Sequence, residues 1–380
     1  MKKLRILSMV LALLICFGAV SVMASAEEQA AGLTKDVVVL FTSDVHCGID
    51  QGFGYAGLAA MRDSLTKSNH VLLVDNGDSI QGEPVGTMTT GEAIIDLMNA
   101  VGYDIAIPGN HEFDYGMDRF LELTQKAEFP YLSCNFNKEG EPVLEPYKLV
   151  EFDGVKIGFV GVTTPKTLTS STPKYFQDDS GKFVYGFMQD ETGEGVYNAV
   201  QSAVDAARAE GAQYVIVMGH IGNEETCAPW TYADIISNTT GIDAFLDGHS
   251  HDTDQVVMKN KDGQDVIRSA CGTKLGAVGC LRISADGELS AGLFTWNNEI
   301  AAPELLGIEN EASKAVSAAT DTLNEKLSQV VATSAVDLCI YDPDAKDENG
   351  KSIRIVRNAE TNLGAQVAQV FQASHLFSSS

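Results

Sequence analysis

Basic residues are scarce in this chain of 380 residues, which has 26 lysines and arginines against 52 aspartates and glutamates. The resulting net charge of −26 argues against a nucleic-acid surface, because phosphate contacts need clustered lysine and arginine. A bound cation would instead lie in a favourable field. Hydrophobic residues make up 44% of the chain, which is enough for a sizeable core, so general disorder is not expected.

Closely spaced cysteines are also lacking, since none of the seven forms a C-x-x-C pair. The pair Cys271 and Cys280 is close enough in sequence to meet across a hairpin. The alternative, that the cysteines are small buried residues, is at least as well supported. Disulfides are permitted in an exported protein but are not required there.

The N-terminus has an apolar stretch, Met9 to Val22, after the basic start Lys2-Lys3-Leu4-Arg5. Ala24-Ser25-Ala26 then fits a small-residue cleavage site, so a signal peptide is predicted over residues 1–26, with cleavage after Ala26. An uncleaved anchor is the alternative, but the stretch is short for a membrane-spanning helix. The prediction implies a secreted, periplasmic or cell-surface protein with no membrane span after cleavage.

Strand-like apolar runs alternate with amphipathic helical segments from about Asp36 to Asn297. This pattern predicts an α/β domain with helices outside a sheet core. Near Pro303 the pattern changes to one long helix without a motif, and a new β-like unit begins near Val336. The predicted organisation is therefore a main domain over 36–300, a linker helix over 304–332 and the start of a second α/β domain over 333–380.

Five short polar motifs each follow an apolar run directly. In chain order they are Asp44-Val45-His46, Gly77-Asp78, Gly109-Asn110-His111-Glu112-Phe113-Asp114, Gly219-His220 and Gly248-His249-Ser250-His251. A lone Gly-Asp or Gly-His pair carries almost no information, because such pairs are common in turns after strands. Five motifs in the same position indicate one polar site at the carboxyl ends of several strands. Of the seven histidines, only His70 and His375 lie outside the motifs.

The spacing within two motifs suggests shared ligands. In an extended backbone, residues i and i+2 point the same way. Asp44 and His46 can therefore bind one ion together, and so can His249 and His251.

The central motif divides into different roles. Asn110 and His111 are adjacent and point apart, so His111 is free to face a substrate if Asn110 binds an ion. Asp114 lies three residues further on and can accept the imidazole N–H if a helical turn begins there. Nothing in the spacing gives Glu112 a metal, so it is expected to support the loop.

The set of metal-binding residue types comprises Asp44, His46, Asp78, Asn110, His220, His249 and His251. Mixed imidazole and oxygen ligands suit Zn, Mn, Fe or Co better than Ca or Mg. Seven ligands are too many for one ion and suit two ions that share a carboxylate, for which Asp78 is the natural candidate. Two ions roughly 3.5–4 Å apart can hold a hydroxide and clamp a phosphoryl oxygen for in-line attack. His111 would then stabilise the transition state or protonate the leaving oxygen.

Taken together, the five motifs resemble those of the calcineurin-like metallophosphoesterases. Within that family they look like the secreted 5′-nucleotidase / 2′,3′-cyclic-nucleotide 2′-phosphodiesterase group. Phe113-Asp114-Tyr115-Gly116 and Gly272-Thr273-Lys274-Leu275-Gly276 are similar to that group as well. The resemblance covers about residues 36–300 and implies a four-layer αββα sandwich of two mixed β-sheets, with the catalytic domain in this part of the chain.

The resemblance also implies roles for individual residues. One metal would be held by Asp44, His46, Asp78 and His251, and the other by Asp78, Asn110, His220 and His249. The catalytic histidine would be His111, oriented by Asp114. The segment from Arg357 to Gly364 is similar to the opening of the group's C-terminal domain, where the arginine is a candidate phosphate contact. The rest of that domain, which supplies the aromatic clamp for the base, is expected to be missing from this chain.

These observations predict an exported phosphoesterase with two divalent transition metals, which hydrolyses phosphate esters of nucleotides by in-line attack of a metal-bridging hydroxide. Alternative substrates are 2′,3′-cyclic phosphodiesters, nucleotide sugars and generic phosphomonoesters. An alternative of another class is a metal-binding surface protein with little turnover. A further alternative is a fragment that folds poorly.

Overall fold

The computed structural model describes residues 20–22, 32–296, 307–329, 335–347, 350–356 and 359–377. The chain divides into two compact units, Met1–Leu323 and Asn324–Ser380. Within the described residues, no helix is both long enough and apolar enough to span a membrane.

Two six-stranded mixed sheets form the centre of the first unit. The first sheet contains, in spatial order, β1 (Val20–Val22), β15 (Leu289–Thr295), β14 (Ala277–Ile283), β2 (Val37–Thr42), β3 (His70–Asp75) and β4 (Ile105–Ala106). The second contains β12 (Thr253–Lys259), β13 (Asp265–Cys271), β11 (Ala244–Asp247), β10 (Tyr214–His220), β8 (Val155–Thr163) and β7 (Tyr147–Phe152). Strands β2, β3 and β4 run parallel, and so do β8, β10, β11 and β13. A small antiparallel sheet joins β6 (Glu141–Pro142), β5 (Asn137–Lys138) and β9 (Tyr185–Gly186).

Helices cover the outer faces of both sheets. They are α1 (Gly54–Thr66), α2 (Pro84–Thr89), α3 (Glu92–Val101), α4 (Met117–Lys126), α5 (Thr167–Ser170), α6 (Glu194–Ala209), α7 (Tyr232–Asn238) and α8 (Glu311–Leu327). Apolar residues of α1, α3 and α4 pack in one core with the first sheet, and those of α6 and α7 pack in another with the second sheet. A third core lies between the two sheets. This arrangement confirms the predicted αββα sandwich.

Strand β2 shows why the apolar runs are continuous. Val37, Val39 and Phe41 point into the core between the sheets, whereas Val38 and Leu40 point into the core beneath the helices. Alternate residues of a strand face opposite sides, so a strand covered on both faces needs apolar residues at every position. The same residues therefore fix both the strand and its central place in the sandwich.

The second unit contains an antiparallel pair, β16 (Tyr341–Lys346) and β17 (Ser352–Arg354), followed by α9 (Asn362–Phe377). Arg357, the candidate phosphate contact, lies outside the described residues.

The structure rejects the suggested hairpin contact between Cys271 and Cys280. Cys271 ends β13 in the second sheet, whereas Cys280 lies in β14 of the first. Both are buried free thiols, in different cores. Apolar burial, which was the alternative interpretation, accounts for them.

Candidate active site

The five polar motifs follow strands that end at one edge of the sandwich. Four of them come after β2, β3 and β4 in the first sheet and after β11 in the second, and Gly219-His220 forms the end of β10 itself. Neighbouring parallel strands are paired in register up to these ends, for example Thr42 with Asp75 and Met218 with Leu246. Since the carboxyl ends of parallel strands share one edge, the loops converge there.

Six of the predicted ligands form two groups of three. One group is Asp44, His46 and His251, and the other is Asp78, His220 and His249. In each group the candidate ligand atoms all lie within 4.8 Å of one another. In the first group, Nε2 of His251 lies 3.4 Å from Oδ1 of Asp44 and 3.1 Å from Nε2 of His46.

Asp78 lies between the two groups. Its Oδ2 is 3.2 Å from Nε2 of His220 and 3.9 Å from Nε2 of His46. Its Oδ1 accepts a hydrogen bond of 2.8 Å from the backbone N–H of His111. One carboxylate oxygen is thus held by the loop, while the other faces both groups. A carboxylate that bridges two cations needs this position.

The placement of His249 and His251 corrects the inference from spacing. These residues lie in different groups, so they cannot share one ion in the way that an extended backbone would allow. Their φ angles are 80° and 56°, in the left-handed region, so the rule for extended backbone does not apply to them. Asp44, His46 and Asp78 also have positive φ, at 53°, 46° and 59°. Such conformations are unfavourable outside glycine and cluster at functional sites.

The donor atoms present fit divalent transition metals. Oδ1 of Asn110 is buried and has no hydrogen-bond partner, and Nε2 of His220 is buried beside Oδ2 of Asp78. Nδ1 of His220 lies 2.7 Å from the carbonyl oxygen of Asn76, and Nδ1 of His46 lies 3.0 Å from that of Gln81. A carbonyl oxygen only accepts, so each Nδ1 carries a proton, and Nε2 is the nitrogen that can face a metal ion. This is the usual arrangement of histidines that bind metals.

The charges of the cluster favour a cation. Burial by itself would lower the pKa of His220, but the carboxylate of Asp78 raises it to about 10. Burial would likewise raise the pKa of Asp78, yet His220, together with His111 and His46, holds it well below its usual range. Burial lowers the pKa of His249 to about 4, so that ring is neutral and its lone pair is available.

His111 and Asp114 form a hydrogen-bonded pair beside these groups. Nδ1 of His111 lies 2.6 Å from Oδ2 of Asp114, within a 3₁₀ turn that spans His111–Phe113. The hydroxyl of Ser171 donates to the other carboxylate oxygen at 2.9 Å. Burial would lower the pKa of His111, but the bond to Asp114 and the nearby Asp78 raise it to about 9. Ser171 has no distinguishing signal in the sequence, because it lies in the polar run Thr169-Ser170-Ser171-Thr172.

Glu112 joins two of the motif loops, which is the loop-supporting role expected from the spacing. Its buried carboxylate accepts backbone N–H groups from Asp78 and Ser79 at 2.8 Å each and from Gly109 at 2.6 Å. The first two belong to the loop after β3 and the third to the loop after β4. The Asp78 and Asn110 loops are therefore held together by one buried anion.

Glycine precedes several ligands because the loops approach closely. A Cβ atom at Gly109 would overlap Oδ1 of Asp78, and one at Gly248 would overlap the hydroxyl of Ser43, which donates to Asp44. Any larger residue at these two positions would push the ligands apart.

The sequence profile of the family described as calcineurin-like phosphoesterase matches residues 37–253. This range covers more than half of the 380 residues and contains all five motifs. The chain therefore belongs to the calcineurin-like phosphoesterase family.

Three relatives indicate what kinds of protein share this sequence. The trifunctional nucleotide phosphoesterase protein YfkN of Bacillus subtilis is 32% identical over 265 residues, which cover 59% of this chain and 17% of that protein. A snake venom 5′-nucleotidase of Gloydius brevicauda is 28% identical and covers 63% of this chain and 40% of its own length. The 2′,3′-cyclic-nucleotide 2′-phosphodiesterase/3′-nucleotidase of Yersinia enterocolitica is 28% identical, with coverage of 64% and 40%. The chain thus spans less than half the length of these curated relatives.

A crystal structure of calcineurin-like phosphoesterase YfkN from Bacillus subtilis superposes on this chain with a TM-score of 0.62. The sequence identity is 22%, and the match covers 78% of this chain and 99% of that one. The comparison shows that the two share their fold.

Proposed function

We propose that this protein is an exported, dinuclear-metal phosphoesterase that hydrolyses phosphate esters of nucleotides, in the manner of a 5′-nucleotidase. The observation that carries the proposal is the pair of ligand groups that meet at Asp78, with His111 and Asp114 beside them. Family membership supports ester hydrolysis, and the names of the relatives support nucleotides as the substrate class.

The ligand set divides between two divalent transition metals, for which Zn, Mn, Fe and Co are all suitable. One would be held by Asp44, His46, Asp78 and His251, and the other by Asp78, Asn110, His220 and His249. When bound, such a pair supplies positive charge to phosphoryl oxygens and a nucleophile at neutral pH.

His111 is the proton donor in this proposal. With a pKa of about 9 it is protonated at neutral pH. Asp114 binds Nδ1, so Nε2 remains for the substrate. As the bond between phosphorus and the ester oxygen breaks, the leaving oxygen takes the proton from Nε2. Protonation of a leaving oxygen by a positioned side chain contributes about 10²–10⁴-fold to a rate.

Export and domain organisation remain predictions from the sequence. N-terminal sequencing of the protein made in its host should place the first residue directly after Ala26. Cleavage there would also remove β1, the edge strand that pairs with β15. The role of Arg357 as a phosphate contact and the boundaries at 36–300, 304–332 and 333–380 are likewise part of the proposal.

Asp78→Ala is the sharpest test of the proposed site, because Asp78 faces both ligand groups. The variant should lose hydrolysis of p-nitrophenyl phosphate and AMP, assayed with Mn or Zn, and should bind one ion per chain instead of two. Asp63→Ala removes an exposed carboxylate of α1 and serves as the matched control with unchanged turnover. Unchanged turnover in Asp78→Ala would overturn the proposal.

A substrate panel separates the alternatives. Preferential hydrolysis of AMP supports a nucleotidase, whereas preference for bis-p-nitrophenyl phosphate or a 2′,3′-cyclic nucleotide would identify a phosphodiesterase. Two bound ions without turnover of any of these substrates would favour the metal-binding surface protein.

A further inference from the structure

Arg268 is a fully buried arginine at the centre of β13, on the same sheet as two of the ligand loops. Its guanidinium donates to the carboxylate of Asp247 at 2.9 Å and to that of Asp252 at 3.2 Å, and it also pairs with Asp254. The ring of Tyr232 lies 4.1 Å from its Cζ atom. A single planar cation therefore contacts three carboxylates through the wide fork of five N–H donors on arginine, a geometry that the compact ammonium of lysine does not reproduce.

Asp247 connects Arg268 to the loop after β10. It ends β11, one residue before Gly248, and its Oδ1 accepts the backbone N–H groups of Ile221 and Gly222 at 3.3 and 3.2 Å. These two residues directly follow His220. The buried carboxylate of Asp247 thus spans from the His249 loop to the His220 loop.

Asp252 makes a second connection between the same loops. It directly follows His251 in the chain, and its Oδ2 accepts a hydrogen bond of 2.6 Å from the side chain of Asn223. The backbone N–H of Asn223 in turn donates to the hydroxyl of Ser250 at 2.9 Å. The loops after β10 and β11 are therefore joined at several points, and Arg268 binds the two carboxylates that join them.

The charge balance makes Arg268 indispensable to this arrangement. Asp247 is fully buried, and the guanidinium of Arg268, itself fully buried, contacts its carboxylate at 2.9 Å. Without the guanidinium, a buried carboxylate would have no cation, which is one of the most destabilising situations inside a protein. The loops would then move so that water could reach Asp247.

We propose that Arg268 is a positioning residue that sets the spacing of His220, His249 and His251, and thereby the affinity of the protein for both metal ions. This inference rests on the proposed dinuclear site. His220 and His249 belong to one ligand group and His251 to the other, so a shift between the loops after β10 and β11 changes both groups. The residues that orient metal ligands commonly change metal affinity about 10–100-fold when mutated.

Arg208, near the end of α6, supplies a control arginine that pairs with a residue next to the same strand. Its guanidinium pairs with Asp243 at 2.6 Å and donates to the carbonyl oxygens of Gly241, Ala212 and Gln213. Asp243 precedes β11, whereas Asp247 ends it, so the two ion pairs lie at opposite ends of one strand, roughly 13 Å apart. A lysine at either position keeps the charge but loses the bridging geometry.

The experiment measures binding of Mn²⁺ to the full chain by titration calorimetry, alongside urea unfolding of the metal-free protein. We expect Arg268→Lys to weaken Mn²⁺ binding about 10–100-fold at both sites. Arg208→Lys should leave the Mn²⁺ affinity within about twofold, because its contacts lie away from the ligands. Equal Mn²⁺ affinities in the two lysine variants would overturn the inference and leave Arg268 with a structural role only.

A second, milder variant keeps the inference testable if Arg268→Lys does not fold. Asp252→Asn removes one partly exposed carboxylate of the network and should still weaken Mn²⁺ binding several-fold. Wild-type affinity in that variant would also count against the inference. If the wild-type chain itself bound no Mn²⁺ or Zn²⁺, the proposed dinuclear site would fail, and that result is distinct from failure of the role of Arg268.

Discussion

Replacing Glu112 by glutamine tests how the loops of the site are held. The carboxylate accepts four backbone N–H groups. Oε2 takes those of Asp78 and Gly109, and Oε1 takes those of Ser79 and Ile80, the last at 3.4 Å. Glutamine keeps one acceptor oxygen and turns an NH₂ group towards the remaining pair of N–H donors. Two buried donors therefore lose their acceptor whichever way the amide is oriented.

The expected cost follows from these contacts. Each buried donor left without an acceptor costs about 1–3 kcal/mol, so two cost about 2–6 kcal/mol. Loss of a negative charge near Asp78 relieves repulsion and offsets part of this cost. We therefore expect the free energy of unfolding to fall by about 2–4 kcal/mol, the lower part of that range.

Urea unfolding in the presence of a chelator measures this difference without a contribution from metal binding. Glu92→Gln is the matched control, because Glu92 forms exposed ion pairs with Arg119 and Lys126 and should change stability by less than about 1 kcal/mol. If Glu112→Gln were as stable as this control, the loops would not depend on the carboxylate, and our account of the Asp78 and Gly109 loops would be refuted.

Three further predictions concern the catalytic pair and a buried acid. His111→Gln should lower kcat about 10²–10⁴-fold with two metal ions still bound, and an unchanged kcat would remove His111 from the mechanism. Ser171→Ala should lower kcat only about 2–10-fold, the equivalent of one hydrogen bond to Asp114, and a loss as large as that of His111→Gln would contradict this ranking. Burial raises the pKa of Asp75 to about 7 in the folded protein. As the pH rises from 4 to 7, Asp75 loses its proton in the unfolded chain but keeps it in the folded one, so the free energy of unfolding of the wild type falls. In urea unfolding, the free energy of unfolding of Asp75→Asn relative to that of the wild type should rise by about 4 kcal/mol between pH 4 and 7. A difference that stays constant over this interval would show that the pKa of Asp75 is the same in the folded and unfolded states.

The amide is a suitable replacement at position 75. The hydroxyl of Thr42 lies 2.7 Å from Oδ1 of Asp75 and 2.9 Å from the hydroxyl of Tyr103, so it can accept from the amide and donate to the tyrosine. Oδ2 keeps its donors Gly77 and Ser79. The variant therefore removes the titration while keeping a hydrogen-bond partner for each polar side-chain atom of residue 75.

The features that the sequence predicts depend on neighbouring residues, whereas those found only in the structure depend on contacts between distant segments. The strands before the motifs were recognisable because each is a continuous apolar run, as expected for strands buried on both faces. Arg268 does carry a local signal, because it is a charged residue within the apolar strand Val266-Ile267-Arg268-Ser269-Ala270. A charge in such a run implies a buried partner, but its partners Asp247 and Asp252 lie in other segments and cannot be identified by spacing.

The pairing of His249 with His251 failed for a related reason. The rule that residues i and i+2 point the same way holds for extended backbone, and both residues have left-handed φ angles instead. Asp44 and His46 also have left-handed φ angles and yet share a group, so the local backbone alone does not decide which ligands meet. Whether a residue after a strand remains extended depends on what the loop must contact. Here the N–H of His249 donates to the carboxylate of Asp44, 205 residues away in the chain.

The amino-acid sequence by itself determined the two-sided strands, the polar residues at their ends and the chemistry that those residue types can perform. Each of these depends on a few neighbouring residues and is therefore visible locally. Only the tertiary structure decided which ligands face each other, that Asp78 lies between the two groups and that Arg268 joins the loops after β10 and β11. The physical reason is that distances of 3–4 Å between residues up to 205 positions apart are set by the packing of two sheets and by strained loop backbones, and no local pattern encodes them.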